Sequence, residues 1–427
     1  MIKENEYKQR RKKFLKSLPA ETLAIVRAAK PKVRSNDTNY PYRQNSNFYY
    51  LCGIEEEVGV LVFFKSENIT KVYLFIQPKD ANYELWNAKL MGVKVARKNY
   101  SFDGVYSIKK LKQSLAKWSV EVECFGCDFD DRGSVRLLKK FFRHTCCLYN
   151  VAHNIATMRL IKSQAEVMLI QSALAITKKA HHHAMRVVKD GMMEYQLQAE
   201  FEHIFKKNGA YSDAYTTIVA GGNNGNTLHY IQNNQPLKKG ELVLIDAGCE
   251  YRYYASDITR TIPVDGKFTK EQKEIYTLVL NTQKTIISIL KAGVLRSDAQ
   301  RKTQELLLRG LIELGVVKGS FKKLLKKGVI KRYYPHSIGH YMGIDVHDQN
   351  PYKKGKKEIP LAKGMVVTVE PGLYFSSNDK TVPKRYRGIA VRIEDNILIG
   401  RKSSINLSKD ILKEIEDIES MKQKQAQ

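Results

Sequence analysis

Apolar and polar positions follow two different rhythms along the chain. From residue 47 to about 75, short apolar runs at 48–51, 58–64 and 72–75 are separated by charged or polar turns, which predicts strands. A helical stretch at 108–118 and strand-like pieces near 120–125 complete a mixed α/β unit over residues 1–157. The pattern changes near Met158. Ser163 is followed three residues later by Glu166, a capping box, and then by Val167, Ile170, Leu174, Thr177 and Ala184 at helical spacing. Gly191 ends that helix, and a second amphipathic one runs through Leu197, Phe201, Ile204 and Phe205 to Gly209. Strands are predicted at 217–220, 242–245 and 257–262, helices at 270–290 and 298–314, and strands again at 365–369 and 389–393. A charged helical tail follows. Residues 158–427 therefore read as an α+β domain, without a short-period repeat.

No apolar run approaches the ~20 residues that span a bilayer, and the first fifteen residues are charged and polar with no secretory core region. A soluble, cytoplasmic protein is expected. With 427 residues, 43% apolar and 27% charged, the chain is neither disordered, collagen-like nor a disulfide mini-scaffold.

The net charge of +28 invites a nucleic-acid or acidic-membrane reading. The excess is not held in a tail, however: residues 1–150 carry 28 basic against 16 acidic groups, and the rest 44 against 28. The basic runs 10–13, 322–327 and 353–357 read as solvated lysine-rich surface. Six cysteines make no framework. Cys52 and Cys249 are isolated, Cys146 and Cys147 are adjacent, and Cys124-Phe125-Gly126-Cys127 is a lone CxxC with acidic neighbours. Reduced structural thiols are expected, with no zinc or redox role.

The informative residues are acidic groups at the ends of apolar strands. Leu242-Val243-Leu244-Ile245 runs into Asp246, and Asp257 opens another strand eleven residues later. A hairpin turning at Tyr251-Arg252 would set the two aspartates opposite each other, with Cβ atoms ~4.5–5.5 Å apart. A longer loop with two unrelated turn aspartates fits the same spacing. Val367-Thr368-Val369 leads into Glu370, and Ala390-Val391-Arg392-Ile393 into Glu394. Buried alone, each carboxylate would cost several kcal/mol, so the set calls for matching positive charge. Three histidines fall within 336–348 (His336, His340 and His347), and His229 lies in a Gly/Asn-rich segment. His181-His182-His183 sits on a predicted amphipathic helix, where surface and packing roles are expected. Two Asp, two Glu and one His form an oxygen-rich ligand set. Its four negative charges match two divalent ions, Mn²⁺ best, with Co²⁺ or Zn²⁺ also fitting. Such a pair can activate water and polarise a carbonyl, the chemistry of a metal-dependent hydrolase.

At these residues the chain resembles the aminopeptidase P and prolidase metallopeptidases of the pita-bread fold. The order Asp, Asp, His, Glu, Glu matches that family's five-ligand motif. Residues 336–348 match its signature, with Met342 where Leu, Ile or Val is usual. Glu370-Pro371-Gly372-Leu373-Tyr374 and Arg392-Ile393-Glu394-Asp395 match the last two ligand motifs. Tyr40-Pro41-Tyr42-Arg43-Gln44-Asn45-Ser46 resembles the aminopeptidase P amino-terminal domain, so the likeness covers nearly the whole chain.

The resemblance implies an α+β pita-bread catalytic domain at 158–427, preceded by a smaller α/β amino-terminal domain at 1–157. It implies that Asp246, Asp257, His340, Glu370 and Glu394 bind two Mn²⁺ ions, with Asp257 and Glu394 bridging, Asp246 on one ion, and His340 and Glu370 on the other. A bridging hydroxide would attack the carbonyl before a proline, with Glu370 as general base. His229 and His347 would contact substrate or help the proline nitrogen leave, His336 would stabilise the oxyanion, and Arg392 would hold the carboxylate network. Trp86 stands at a position resembling a family residue that closes a neighbouring subunit's site, and a homodimer or homotetramer is implied. The expected activity is release of the first residue from peptides with proline second. Prolidase shares the metal motif and favours dipeptides, whereas methionine aminopeptidase usually lacks such a first domain. A nucleic-acid-binding relative without catalysis would explain the charge but should have lost ligands, and all five are present.

Overall fold

The computed structural model describes residues 1–142, 147–349 and 351–423; Cys146 lies outside them. The chain divides into two compact units, Met1–Arg159 and Leu160–Gln427.

In the first unit, the apolar runs at 58–64 and 72–75 form the strands Gly59–Lys65 and Thr70–Ile76. The six-stranded sheet runs Gly104–Ser107, Thr70–Ile76, Gly59–Lys65, Thr22–Arg27, Cys124–Cys127, Cys147–Asn150. Gly59–Lys65 is antiparallel to both neighbours, and the other pairings are parallel. Inner strands of such a sheet are covered on both faces, so they read as unbroken apolar runs without alternation.

Three expectations are corrected in this unit. Residues 48–51 are helical, within Ser46–Cys52. Asn45 accepts a hydrogen bond from the Phe48 amide at 3.0 Å, and Gly53 closes the helix at φ +66. A four-residue apolar run suits a buried helical turn as well as a strand, and the cap decides. The 10–13 run is only half solvated. Arg10 and Arg11 are buried, donating to the carbonyls of Tyr50 and Leu51 (3.1 Å each) and pairing with Glu6 and Glu4 at 2.6 Å. Finally, Cys124 is disulfide-bonded to Cys147, so not all the thiols are free. The adjacent parallel strands place the two residues in register with Cα atoms 4.7 Å apart, within bridging range. Its CxxC neighbour Cys127 lies three residues along the same strand, so it points to the opposite face. Cys52, Cys127 and Cys249 are buried free thiols, as expected.

In the second unit, the Ser163–Glu166 capping box opens the helix Gln164–Val187, and Glu194–Lys207 follows. Lys270–Ile289 and Arg296–Glu313 form a second helix pair. The histidine triplet serves packing: His181 donates to the Ala247 carbonyl at 3.1 Å, His182 accepts from the Leu412 amide, and His183 faces Glu200 at 2.8 Å.

Two antiparallel ladders carry the acidic residues. In the first, Leu242–Asp246 pairs with Thr259–Pro263, and Cys249–Tyr251 with Tyr254–Ala255. The turn is at Arg252-Tyr253, both at positive φ (49 and 71). Relative to a turn at Tyr251-Arg252, this shifts the register by two, so Asp246 faces Thr259 and Asp257 is its diagonal neighbour. A shift of two keeps side chains on their face, which is why both aspartates still point to one site. In the second ladder, Val369 pairs with Asp395 and Gly372 with Arg392, which sets Glu370 opposite Glu394. Gln283, from the Lys270–Ile289 helix, donates to the Val369 and Ile393 carbonyls at 3.2 and 3.0 Å and fastens both glutamate-bearing strands.

Candidate functional site

The ladders and the 336–348 segment converge on a cavity of about 240 Å³. Asp246, Asp257, His340, Glu370, Glu394, His229, His336, His347 and Arg392, the nine residues singled out from sequence, all line it. Ile218, Leu228, Ile231 and Val346 add an apolar wall.

The tightest gathering of ligand atoms among the described residues is Asp257, His340 and Glu394, all within 4.8 Å of one another. His340 Nε2 lies 3.2 Å from Asp257 Oδ2 and 3.6 Å from Glu370 Oε1. His340 Nδ1 donates to the Tyr341 carbonyl at 3.0 Å, which leaves the Nε2 lone pair facing the carboxylates in the neutral ring. Asp246 stands slightly apart, held by Tyr215 Oη at 2.6 Å and Arg392 Nη2 at 2.7 Å.

Arg392 is 4% exposed and organises one side of the cluster. Besides Asp246 it donates from Nη1 to Tyr374 Oη at 3.0 Å and from Nε to Thr259 Oγ1 at 3.2 Å. Thr259 in turn donates to Glu394 Oε2 at 2.8 Å. Thr368 links His340 and Glu370, accepting from the His340 amide (3.0 Å) and donating to Glu370 Oε1 (3.2 Å).

The electrostatics of this donor set call for added positive charge. Burial, then the charge of Asp257, pushes Glu370 up to about 7 against the pull of His340 and Arg392. Burial and the charges of Asp257, Glu370 and Asp246 push Glu394 well above the carboxylate range. At His340 burial opposes the charged form, yet the hydrogen bond and charge of Asp257 and the charge of Glu370 outweigh it and raise the imidazole to about 9. Four carboxylates sharing one arginine and one imidazole hold too little positive charge for full ionisation. An oxygen-rich set with a correctly oriented imidazole fits divalent cations.

His336 is the converse. Burial, then Arg392, lowers it to about 4, so it is neutral. Its Nδ1 donates to the Ser337 carbonyl at 2.9 Å, and Nε2 accepts from Tyr374 Oη at 2.8 Å. Burial and the charge of His340 lower His347, whose ring centroid is 4.3 Å from that of His340.

Sequence reasoning missed Tyr215, Thr259, Thr368 and Tyr374 as site residues. Thr259 and Tyr374 were within reach. Thr259 is two residues from Asp257 and so shares its face, and Tyr374 ends the Glu370 motif. Nothing in the local pattern marks Tyr215.

The fold and the site together define a two-unit α+β protein whose catalytic-type cavity is built to gather cations among carboxylates. Residues 168–401 match the model of metallopeptidase family M24, and residues 7–123 that of the aminopeptidase P N-terminal domain. The chain is 37% identical to the Xaa-Pro aminopeptidase of Haemophilus influenzae, over 98% of this chain and 97% of that one. The proline aminopeptidase P II structure from Yersinia pestis superposes with a TM-score of 0.94 at 35% identity, covering 99% of this chain and all of that one. A zinc-substituted Escherichia coli aminopeptidase P in complex with product gives 0.95 at 34% identity, with 99% of each chain covered. The chain belongs to metallopeptidase family M24, with a pita-bread domain behind an aminopeptidase P amino-terminal domain.

Proposed function

We propose that the protein is a dinuclear-metal Xaa-Pro aminopeptidase, releasing the first residue of peptides whose second residue is proline. The observation that carries this reading is the convergence of all five expected ligands and three histidines on one cavity. Names borne by relatives that align over nearly the full length support the substrate class.

Asp246, Asp257, His340, Glu370 and Glu394 would hold two divalent cations, Mn²⁺ by preference. Such cations, when bound, supply Lewis acidity toward a carbonyl and lower the pKa of water. Asp257 and Glu394, whose ligand atoms lie within 4.8 Å of each other and of His340, would serve both cations. Glu370 takes the proton of the nucleophilic water and passes it toward the departing proline nitrogen. His229 and His347 orient the peptide and assist that departure. To serve the oxyanion, His336 exchanges the Ser337 carbonyl for substrate at its Nδ1–H. Arg392 fixes Asp246 directly and Glu394 through Thr259, so both stay in place while charge develops. The apolar wall of Ile218, Leu228, Ile231 and Val346 suits a proline ring.

The active assembly is a homodimer or homotetramer. Trp86, 84% exposed, is available to a neighbouring copy's site. The cytoplasm is the proposed compartment; among the described residues no helix is long and apolar enough to cross a membrane. A matched Ala-Pro dipeptide and Ala-Pro-Ala tripeptide test the specificity. The tripeptide should be cleaved at least ~10-fold faster in kcat/KM, a gap of about 1.4 kcal/mol. Faster cleavage of the dipeptide would make the protein a prolidase.

A further inference from the structure

Two surface segments of the second unit adjoin the cavity and carry nearly all their charge with one sign. Residues 314–335 hold seven Lys or Arg and no Asp or Glu, and residues 376–388 hold four against Asp379 alone. Asp379 is engaged by Arg332 at 2.8 Å with its side chain only 15% exposed, so it offers little to solvent. Lys322, Lys323, Lys326, Lys327, Lys380 and Lys384 are all exposed.

The two segments form one surface. Besides the Arg332–Asp379 pair, Arg385 Nη2 donates to the Leu314 carbonyl at 3.2 Å, and the Tyr374 amide to the Tyr333 carbonyl at 3.0 Å. The first runs into the cavity lining at His336; the second follows Tyr374, whose hydroxyl donates to His336 Nε2 and accepts from Arg392 Nη1, both of them lining residues. The Ser377 amide donates to Asn223 Oδ1 at 2.8 Å, joining this surface to the turn that precedes His229. Arg332 lies four residues from His336 and Lys327 nine. At a maximum of ~3.6 Å per residue their Cα atoms are within ~15 and ~32 Å of that of His336, the reach of an extended peptide of fewer than ten residues.

We infer that this surface receives the downstream part of the substrate and selects peptides that are acidic beyond the proline. The inference rests on the aminopeptidase reading and adds the class of substrate. A one-signed field at the mouth of a cleft raises local substrate concentration and association rate, and acts within the Debye length of ~8–10 Å at physiological salt. A nucleic acid would meet the same charge. The continuity with the cavity favours the peptide, since charge that leads into a catalytic cleft acts on what enters it.

The test uses the full-length, Mn²⁺-loaded protein and three peptides, Ala-Pro-Ala followed by four Glu, four Gln or four Lys, with Ala-Pro-Ala as reference. At ~20 mM salt the Glu peptide should exceed the Lys peptide in kcat/KM by roughly 5- to 10-fold, falling to within about 2-fold at ~0.5 M. The quadruple variant K322Q/K323Q/K326Q/K327Q and the pair K380Q/K384Q should each shrink that ratio while turnover of Ala-Pro-Ala, which stops short of these lysines, stays unchanged. Turnover of Ala-Pro-Ala with no dependence on tail charge at low salt overturns the surface assignment alone. So does a preference that survives both variants. No turnover of Ala-Pro-Ala overturns the aminopeptidase reading and this inference with it. A 12-nucleotide single-stranded RNA that binds at physiological salt through these lysines, with tail charge immaterial, reassigns the surface to nucleic acid and overturns the proposal.

Discussion

Thr259 holds a position out of proportion to its size. Its hydroxyl donates to Glu394 Oε2 at 2.8 Å and accepts from Arg392 Nε at 3.2 Å, so it couples a central carboxylate to the arginine that also holds Asp246. Thr259→Val keeps the shape and removes both bonds. Unmet hydrogen bonds at a buried site cost about 1–3 kcal/mol, and groups that orient metal ligands govern affinity by ~10–100-fold. Cation binding, followed by titration calorimetry, should weaken at least ~10-fold in Thr259→Val and recover in Thr259→Ser. Equal affinity in all three would refute the relay. A second residue-level expectation concerns acid stability. Burial, then Arg260, lowers His181 to about 3, whereas an unfolded histidine titrates near 6.5. Between these values the unfolded chain binds the extra proton, so stability rises with pH and falls on acidification through that window, by up to about 1.4 kcal/mol per pH unit. In chelated protein, where cation release cannot contribute, thermal unfolding should drop from pH 7 to pH 4, and less steeply in His181→Asn. Parallel curves would contradict the assignment.

At the scale of elements, the site depends on strands approaching where no side chain fits. A Cβ at Gly248 would collide with the Ser256 carbonyl oxygen, and one at Gly339 with that of Thr368. Gly248→Ala should therefore force apart the ladder between Asp246 and Asp257, costing about 3 kcal/mol or more in denaturant unfolding and reducing the metal bound per chain. A variant with wild-type stability and full metal content would show that the close approach is dispensable. The same scale explains what the sequence reveals. The long helices were legible because caps and apolar spacing agree, as at Ser163 and Glu166. The acidic residues stood out because each interrupts a buried apolar strand. The turn at Arg252-Tyr253 was off by one because neither residue advertises positive φ as Gly or Asn would. Residues 48–51 were misread because periodicity cannot sort a four-residue run. The Cys124–Cys147 bridge depends on pairing between strands distant in sequence, which no local pattern encodes, and Tyr215 reaches Asp246 for the same reason.

Across the whole molecule, charge is divided by location. The chain carries +28, yet one cavity of its second unit gathers four carboxylates beside a single arginine and four histidines, of which burial and neighbouring positive charge lower His336 and His347. On the reading proposed above, the outer excess would bear on which peptides arrive and the inner deficit on what is done to them, so the net figure alone describes neither. The dependence of chemistry on that inner cluster is the central claim. Protein stripped with chelator, then supplied with Mn²⁺, Co²⁺ or Zn²⁺, tests it most directly through release of free alanine from Ala-Pro-Ala. The account predicts no turnover in stripped protein and recovery with at least one of the three, alongside about two ions per chain, and none of this in Asp257→Ala. Undiminished cleavage by stripped protein, or no cleavage with any of the three ions, would contradict it.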